Sequence, residues 1–368
     1  MNNIDFKKLG DYVKIKTGKL DANASSEDGE YPFFTCSIEP LKISSYSYDC
    51  ECCLVAGNGD LNVKYYNGKF DAYQRTYIIE SLDKEKLDVM YLYFFLSSYI
   101  EVLRKQSIGG VIKYIKLGNL TDALIPIPEL SKQKEICQNL IKAKKILSSN
   151  ENLLSKYDTL IKSRFIEMFG DNPTKNEKWK VEKLGNLGLC KNGMNFSYED
   201  NGFEINCLGV GDFKDNAVIT NCENLPVISL NEKPSEEYLL QDNDIVFVRS
   251  NGNKELVGRS VLIHPTVLTT FSGFCIRFRL STNAINHLFL LQFLKMPNTR
   301  KNMAGRGANI QNLNQQILSN LDIPVPQIEL QNDFAAYVHQ IDKSKFAVQK
   351  SLEKTETLYK SLMQQYFA

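Results

Sequence analysis

The sequence predicts an α+β protein with an internal repeat: two tandem globular α/β regions and two long helices. Three observations predict this class. An Ile-Pro-x-Pro segment occurs twice, a stretch with a heptad pattern follows each copy, and the remaining chain mixes short β-rich runs with helical pieces. At 368 residues the chain also exceeds the comfortable size of a single core, which favours two domains.

The repeat keeps its register over a long part of the chain. Ile125-Pro126-Ile127-Pro128 recurs as Ile323-Pro324-Val325-Pro326, a shift of 198 residues, because residue 125 becomes residue 323. Near the start of each copy, Lys8-Leu9-Gly10 corresponds to Lys183-Leu184-Gly185 at a shift of 175, so 23 residues are inserted between these blocks. Further pairs at the shift of 198 are Gln133 with Gln331 and Phe169 with Phe367.

A long helix is predicted after each proline pair, because proline lacks an amide hydrogen and pushes the preceding residue out of helical geometry. Apolar residues then recur in steps of three and four, the spacing of a coiled-coil seam. The predicted seam residues are Ile136, Leu140, Leu147, Leu154, Ile161, Phe334, Val338, Ile341, Val348 and Leu352.

These two helices are expected to pair as one antiparallel coiled-coil spacer that relates the two copies by a pseudo-twofold axis. The alternative is that each amphipathic helix packs separately on its own domain. The predicted boundaries are a first domain at 1–130, a central helix at 131–170, a second domain at 171–328 and a C-terminal helix at 329–368. Mixed content inside the domains follows from strand-like runs such as Asp244–Val248 and Thr76–Ile79 and from helical pieces such as 87–104 and 287–301.

Composition favours a cytoplasmic protein. No signal-peptide pattern begins the sequence, and the apolar stretches fall short of the roughly 18 residues of a membrane span. Nine scattered cysteines are typical of reduced thiols rather than of a disulfide framework.

Motifs for catalysis are missing from the sequence. An adenine methyltransferase would normally show an Asn/Asp-Pro-Pro-aromatic motif and a glycine-rich cofactor loop, and neither occurs. In the 252–260 segment, five residues separate the two glycines. Arg259 stands where a phosphate-binding loop has lysine. Cys50 and Cys53 lack the second cysteine pair of a closed zinc site. We therefore expect no catalytic, cofactor or metal site in this chain.

DNA-binding chemistry is indicated by local charge, although the formal net charge is only +1. No acidic residue lies between Glu255 and Asp322, while seven basic residues do, as phosphate contacts would require. Arginine, asparagine and glutamine beside glycines could read base edges. Ordinary turn chemistry remains an equal explanation for these loops. The candidate DNA-binding residues are Tyr73, Gln74, Arg75, Lys113, Tyr114, Arg249, Asn251, Arg277, Arg306, Asn309, Gln311 and Asn312.

Over essentially its whole length the sequence resembles the specificity subunits of Type I restriction-modification systems. The resemblance is carried by the duplicated Lys-Leu-Gly openings, the duplicated Ile-Pro-Ile/Val-Pro segments followed by Gln133 and Gln331, and the helix ending in Ser163 to Asp171. It implies two target-recognition domains that read a bipartite DNA sequence, and no catalysis by this chain.

The resemblance also implies partners: double-stranded DNA, two methyltransferase subunits that bring S-adenosylmethionine, and restriction subunits that use ATP and Mg²⁺. No membrane is implied. Two other classes stay open, a coiled-coil scaffold that binds only proteins and a stand-alone nuclease or methyltransferase with unfamiliar motifs. The scaffold would show no salt-dependent DNA affinity, and the enzyme would show turnover as a single chain.

Overall fold

The computed structural model describes residues 6–197, 199–213, 217–304 and 312–367. The chain divides into two compact units. Unit 1 comprises residues 1–153 together with 348–368, and unit 2 comprises residues 154–347. Unit 1 is therefore discontinuous in sequence, whereas unit 2 is one continuous segment.

Unit 1 is built on a six-stranded sheet with the strand order β2-β7-β5-β6-β3-β4. The long β5 and β6 form an antiparallel hairpin, and α1 packs against both strands. A carboxylate oxygen of Asp88 accepts a hydrogen bond from the Tyr91 amide at 3.0 Å and so caps α1. The elements are β1 Phe6–Lys8, β2 Val13–Thr17, β3 Tyr31–Phe34, β4 Leu41–Ile43, β5 Tyr48–Ala56, β6 Val63–Ala72, β7 Thr76–Ser81, α1 Val89–Gln106, α2 Leu117–Thr121, β8 Leu124–Pro126 and the first part of α3 Leu130–Phe169.

Unit 2 contains a five-stranded sheet with the order β10-β17-β14-β15-β12 and a three-stranded sheet with the order β13-β11-β16. The run predicted as a strand at Asp244–Val248 is the central β14, which is fully buried. The elements are the last part of α3, β9 Lys180–Lys183, α4 Leu184–Leu187, β10 Gly188–Asn192, β11 Phe203–Leu208, β12 Val218–Ile219, β13 Val227–Leu230, β14 Asp244–Val248, β15 Ser260–Ile263, β16 Thr269–Phe271, β17 Cys275–Leu280, α5 His287–Leu294, α6 Pro297–Ala304, α7 Gln315–Ser319, β18 Asp322–Val325 and the first part of α8 Ile328–Phe367.

Each unit joins the beginning and the end of its globular region through a two-stranded antiparallel sheet. In unit 1 β1 pairs with β8, and in unit 2 β9 pairs with β18. The proline-rich segments predicted to end each region are the strands β8 and β18. Such a short sheet tolerates proline because its strands lie at an edge.

The duplicated glutamines fix the start of each long helix to the globular region. Gln133 is fully buried, its side-chain oxygen accepts from the Asp88 amide at 2.9 Å, and its amide nitrogen donates to two backbone carbonyls at 2.8 Å. Gln331 makes the equivalent bonds with the Asn286 amide at 2.8 Å and with two carbonyls at 3.1 and 2.8 Å. All these pairs keep the shift of 198 residues, so the repeat in sequence is a repeat of hydrogen bonds.

The long helices α3 and α8 contain 40 residues each, or about 60 Å at 1.5 Å per residue. Each unit contains part of both helices, and within each unit these parts run antiparallel. In unit 1 Asn150 donates to Ser351 at 3.1 Å, while in unit 2 Lys345 and Asp158 form an ion pair at 2.7 Å. Of the ten predicted seam residues, Ile136, Leu140, Phe334 and Val338 are buried, and Leu147, Leu154, Ile161, Ile341, Val348 and Leu352 are half-buried.

An aromatic residue near the end of each long helix enters the core of a unit. Phe169, which ends α3, is 2% exposed and packs on Phe289 in unit 2 with ring centroids 4.7 Å apart. Phe367, which ends α8, packs on Tyr91 in unit 1 at 5.2 Å. The only tryptophan, Trp179, packs against Phe169 with ring centroids 5.8 Å apart.

Candidate nucleic-acid interface

Three segments that are distant in sequence meet in unit 1 and form the first loop cluster, defined as residues 57–60, 72–76 and 108–114. The Gly57 amide donates to the Arg75 carbonyl at 2.7 Å, and the Gly59 amide donates to the Lys113 carbonyl at 3.0 Å. Tyr114 bridges to Asn58 in an antiparallel pair. These backbone bonds place the sequence-predicted residues 73–75 and 113–114 in one site.

The side chains of the first loop cluster suit groove contacts. Arg75, Gln74 and Lys113 are exposed, and Tyr114 is 37% exposed. Gln74 is held by a hydrogen bond from its amide nitrogen to Asp21 at 2.7 Å. A guanidinium, an amide, an ammonium and a phenol thus share one surface, and these groups bind phosphates and base edges.

Unit 2 contains the second loop cluster, defined as residues 249–253, 272–274 and 312–313. The Arg249 amide donates to the Phe274 carbonyl at 2.8 Å, and the Leu313 amide donates to the Arg249 carbonyl at 2.7 Å. Ser250 bridges to Asn312 in an antiparallel pair. Arg249, Asn251 and Asn312, three of the predicted residues, therefore belong to one site.

The two clusters have the same backbone plan with different side chains. The Ile115 amide donates to the Gly57 carbonyl at 2.9 Å, the same bond that Leu313 makes to Arg249. Gly57 in unit 1 and Arg249 in unit 2 thus occupy equivalent positions. Arg249 is half-buried and donates through Nη1 to the Gly273 carbonyl at 3.2 Å, which holds its guanidinium beside the turn. A shared frame with exchanged side chains can present two different recognition surfaces.

Arg277 is placed differently from the other candidates. It lies in β17, is 6% exposed, and burial lowers the pKa of its guanidinium. A side chain so covered has little surface for a phosphate or a base, so the structure does not favour Arg277 as a DNA contact. It was selected because it belongs to the basic stretch, and sequence alone does not show which basic residues face the core.

Several arginines of the basic stretch between Glu255 and Asp322 bind groups within the protein. Arg279 binds Asp244 in a bidentate ion pair at 2.8 and 2.7 Å, and Arg300 donates to the carbonyls of Glu255 and Val257 at 2.7 and 3.2 Å. The absence of acidic residues in this stretch therefore does not by itself define a phosphate-binding surface. The other predicted residues, Arg306, Asn309 and Gln311, lie outside the described residues.

Phe274 was missed by the sequence analysis. It is 63% exposed and lies in the second loop cluster, in the turn that corresponds to Tyr73–Thr76 of unit 1. An exposed aromatic ring can stack on a base or contact a thymine methyl group. The signal that could have found it is its position in the second copy, about 199 residues after Arg75.

The cysteines are all free thiols in the structure. Burial raises the pKa of Cys137, Cys207 and Cys275 to about 12, so these thiols stay protonated at neutral pH. Within the described ranges, no group of three or more His, Cys, Asp or Glu residues could hold a metal ion. In the same ranges, no helix is both long and apolar enough to cross a membrane.

The two loop clusters occupy equivalent places on a duplicated frame. The chain matches the family described as "Type I restriction modification DNA specificity domain" over residues 1–156 and again over 176–356, and it belongs to that family.

Two curated relatives are similar. The chain is 36% identical over 184 residues to the Type I restriction enzyme EcoDI specificity subunit of Escherichia coli, covering 49% of this chain and 40% of that protein. It is 27% identical over 290 residues to the StySPI specificity subunit of Salmonella potsdam, covering 74% of this chain and 62% of that protein. The chain thus spans less than two thirds of the length of either relative.

The fold is that of a solved Type I restriction-modification S subunit from M. genitalium. The TM-score is 0.65 with 17% identity, and the match covers 100% of this chain and 97% of that one. A second solved chain, from a study of complex assembly in the type I R-M system, gives a TM-score of 0.56 with 15% identity over 99% of this chain and 97% of that one.

Proposed function

We propose that this chain is the DNA-specificity subunit of a Type I restriction-modification complex, with each loop cluster reading one half of a bipartite target. The observation that carries the proposal is the equivalence of the two clusters. Both are held by the same backbone hydrogen bonds, yet position 57 is glycine in one and position 249 is arginine in the other. Two such sites would read two different half-sequences with one architecture.

The long helices would fix the distance between the two sites. The proposed arrangement is one antiparallel coiled-coil spacer with pseudo-twofold symmetry, in which the first domain, central helix, second domain and C-terminal helix keep the predicted boundaries. It is supported by the antiparallel contacts inside each unit, such as Asn150 with Ser351 and Lys345 with Asp158. A heptad seam keeps such a pair in register over its length.

Catalysis would belong to partner subunits. Two methyltransferase subunits would dock on the two similar halves of the spacer, because a pseudo-twofold frame offers a repeated surface to identical partners. They would bring S-adenosylmethionine, and restriction subunits would bring ATP and Mg²⁺. This chain would then supply double-stranded DNA recognition in the cytoplasm and no turnover of its own.

A methylation map tests the proposal directly. DNA would be sequenced for modified adenine from cells that express a Type I methyltransferase subunit of the same source, with and without this chain. A new bipartite methylated motif that appears only with the chain is the expected result. A stable complex with that methyltransferase but no new motif would favour the protein-binding scaffold instead.

Single substitutions should separate the two half-sites. We expect Arg249→Ala to lower affinity for one half-sequence about 10- to 100-fold, the equivalent of about 1 to 3 kcal/mol for a lost base contact. Arg75→Ala should lower affinity for the other half-sequence only. Dissociation constants would be measured on duplexes altered in one half at a time, at fixed salt. Equal losses on both halves from Arg249→Ala would assign it a structural role through its bond to Gly273.

A further inference from the structure

A cavity of about 380 Å³ lies within unit 2, and neither loop cluster lines it. Its walls come from α3, α5, α6, α8 and the start of β15. Apolar side chains such as Leu291 and Val338 form part of the lining, and polar groups form the rest. The volume is within the range of small-molecule sites, which hold few polar groups on a largely apolar wall.

Five polar side chains in this lining make no hydrogen bond or ion pair with the residues that the structure describes: Lys162, Ser260, Gln292, Lys295 and Asp342. Ser260 is 3% exposed, and its hydroxyl makes no hydrogen bond there. Lys295 is half-buried, and no hydrogen bond or ion pair to its ammonium is seen within the described ranges. A polar group removed from water without a partner costs free energy, so such groups point to something that binds them.

The charges around the cavity are predominantly positive. Asp158 forms an ion pair with Lys345 at 2.7 Å, and burial raises the pKa of Asp342. The guanidinium of Arg300 donates to the backbone carbonyls of Glu255 and Val257, and the Glu255 carboxylate also acts on its charge. Among the described residues, two acidic and five basic side chains line the cavity: Asp158 and Asp342 against Lys162, Arg259, Lys295, Arg300 and Lys345.

Unit 1 has different side chains at the positions that correspond to this cavity. The residue equivalent to Asp342 at the shift of 198 is Lys144, and the residue equivalent to Leu291 is Tyr93. Lys144 donates to the Tyr93 hydroxyl at 2.7 Å and lies 4.8 Å from the centre of its ring. Tyr359, the equivalent of Ile161, is half-buried in the same cluster. In unit 1 this region holds aromatic rings around Lys144, which has a partner, whereas in unit 2 the corresponding position is Asp342, and Lys295 corresponds to Ser97.

We propose that the cavity in unit 2 binds a small anion of the phosphate type, with the Lys295 ammonium and the Ser260 hydroxyl as its ligands. An anion would satisfy both groups at once, and a charge-assisted hydrogen bond from an ammonium is the stronger of the two. The site goes beyond DNA recognition and is independent of it.

Calorimetric titration of the full chain with inorganic phosphate, in chloride buffer, tests the site. We expect saturable binding of phosphate by the unaltered chain. The affinity should fall at least about tenfold in Lys295→Met, because a hydrogen bond from a charged group is lost, and it should fall less in Ser260→Ala. Lys343→Met is the matched control, because Lys343 is exposed on α8 outside this cavity, and it should bind as the unaltered chain does. Absence of saturable binding, or equal binding by Lys295→Met, would overturn the proposal.

Thermal unfolding separates loss of the ligand from loss of the fold. In phosphate-free buffer, Lys295→Met should unfold at a higher temperature than the unaltered chain, because it removes a buried charge without a partner. Added phosphate should raise the unfolding temperature of the unaltered chain and of Lys343→Met more than that of Lys295→Met. If Lys295→Met instead weakened DNA binding and its salt dependence while phosphate binding stayed unchanged, the ligand would be a DNA phosphate and the small-anion site would be wrong.

The protonation of Lys295 gives an independent readout. Burial lowers the pKa of its ammonium to about 8, so the group is charged at pH 7 and mostly neutral at pH 9. Sulfate keeps its charge over this range and is the probe for this arm. Sulfate should bind more weakly at pH 9 than at pH 7 in the unaltered chain, and a flat profile would count against Lys295 as the ligand.

Discussion

Insertion of seven residues into both long helices should lengthen the gap between the two methylated half-sequences by about three base pairs. Seven helical residues add about 10 Å, and one base pair of duplex DNA rises about 3.4 Å. The insertions would be made after Leu153 in α3 and after Ala347 in α8, where the chain passes from one unit to the other. A seven-residue insertion preserves the seam, because the seam repeats every seven residues.

The measurement is the methylation map of cells that carry the lengthened chain. Both half-sequences should stay unchanged while the gap between them grows. A two-residue insertion in both helices is the control, since it turns the seam residues by about 200° from their partners and should abolish a defined gap. If the lengthened chain kept the original gap, the length of the helices would not determine the distance between the half-sequences.

Phe169→Ala should destabilise unit 2 by about 3 to 5 kcal/mol, the cost of removing a large buried aromatic side chain. The ring is 2% exposed and contacts Phe165, Phe289, Phe334 and Trp179, so its removal leaves a cavity that the surrounding aromatic rings cannot fill. Hydrogen exchange resolved by peptide would measure the effect in segments of unit 2 and of unit 1 separately.

Phe346→Ala is the matched control, because Phe346 lies on α8 within unit 2 and is 71% exposed. It should leave exchange unchanged. The reciprocal substitution Phe367→Ala should increase exchange in unit 1, where the ring packs on Tyr91 and Phe95. Increased exchange of unit 1 segments alone in Phe169→Ala would contradict the packing described for α3.

The first residue of each long helix could be predicted to within one position, because the sequence pattern that marks it is local. The proline pairs mark where each helix can begin, and the apolar spacing persists for 40 residues, so α3 and α8 begin one residue before the positions expected. The strand order could not be predicted, because pairing such as β3 beside β6 joins segments about 40 residues apart with no local signal. The helical stretch expected at 287–301 is broken into α5 and α6, with Pro297 at the start of the second helix.

The candidate site could be predicted in part. Loops beside glycines were chosen for their side chains, and the structure brings residues 73–75 together with residues 113–114 because Gly57 and Gly59 bond to both segments. Arg277 was chosen for its charge alone, and its place in a central strand buries it. The first four residues of β17 are buried, because both faces of this strand are covered, and the charge of Arg277 gives no sign of this in the sequence.

The discontinuity of unit 1 has a consequence for the order in which a ribosome delivers the chain. Residues 154–347 form a continuous unit, so all of unit 2 has been synthesised before Val348 is added. Unit 1 begins first but lacks part of its core until Phe367 arrives to cover Tyr91 and Phe95. The region that is translated earliest is therefore expected to mature last, and a nascent chain halted near residue 347 would carry a finished second half and an unfinished first half.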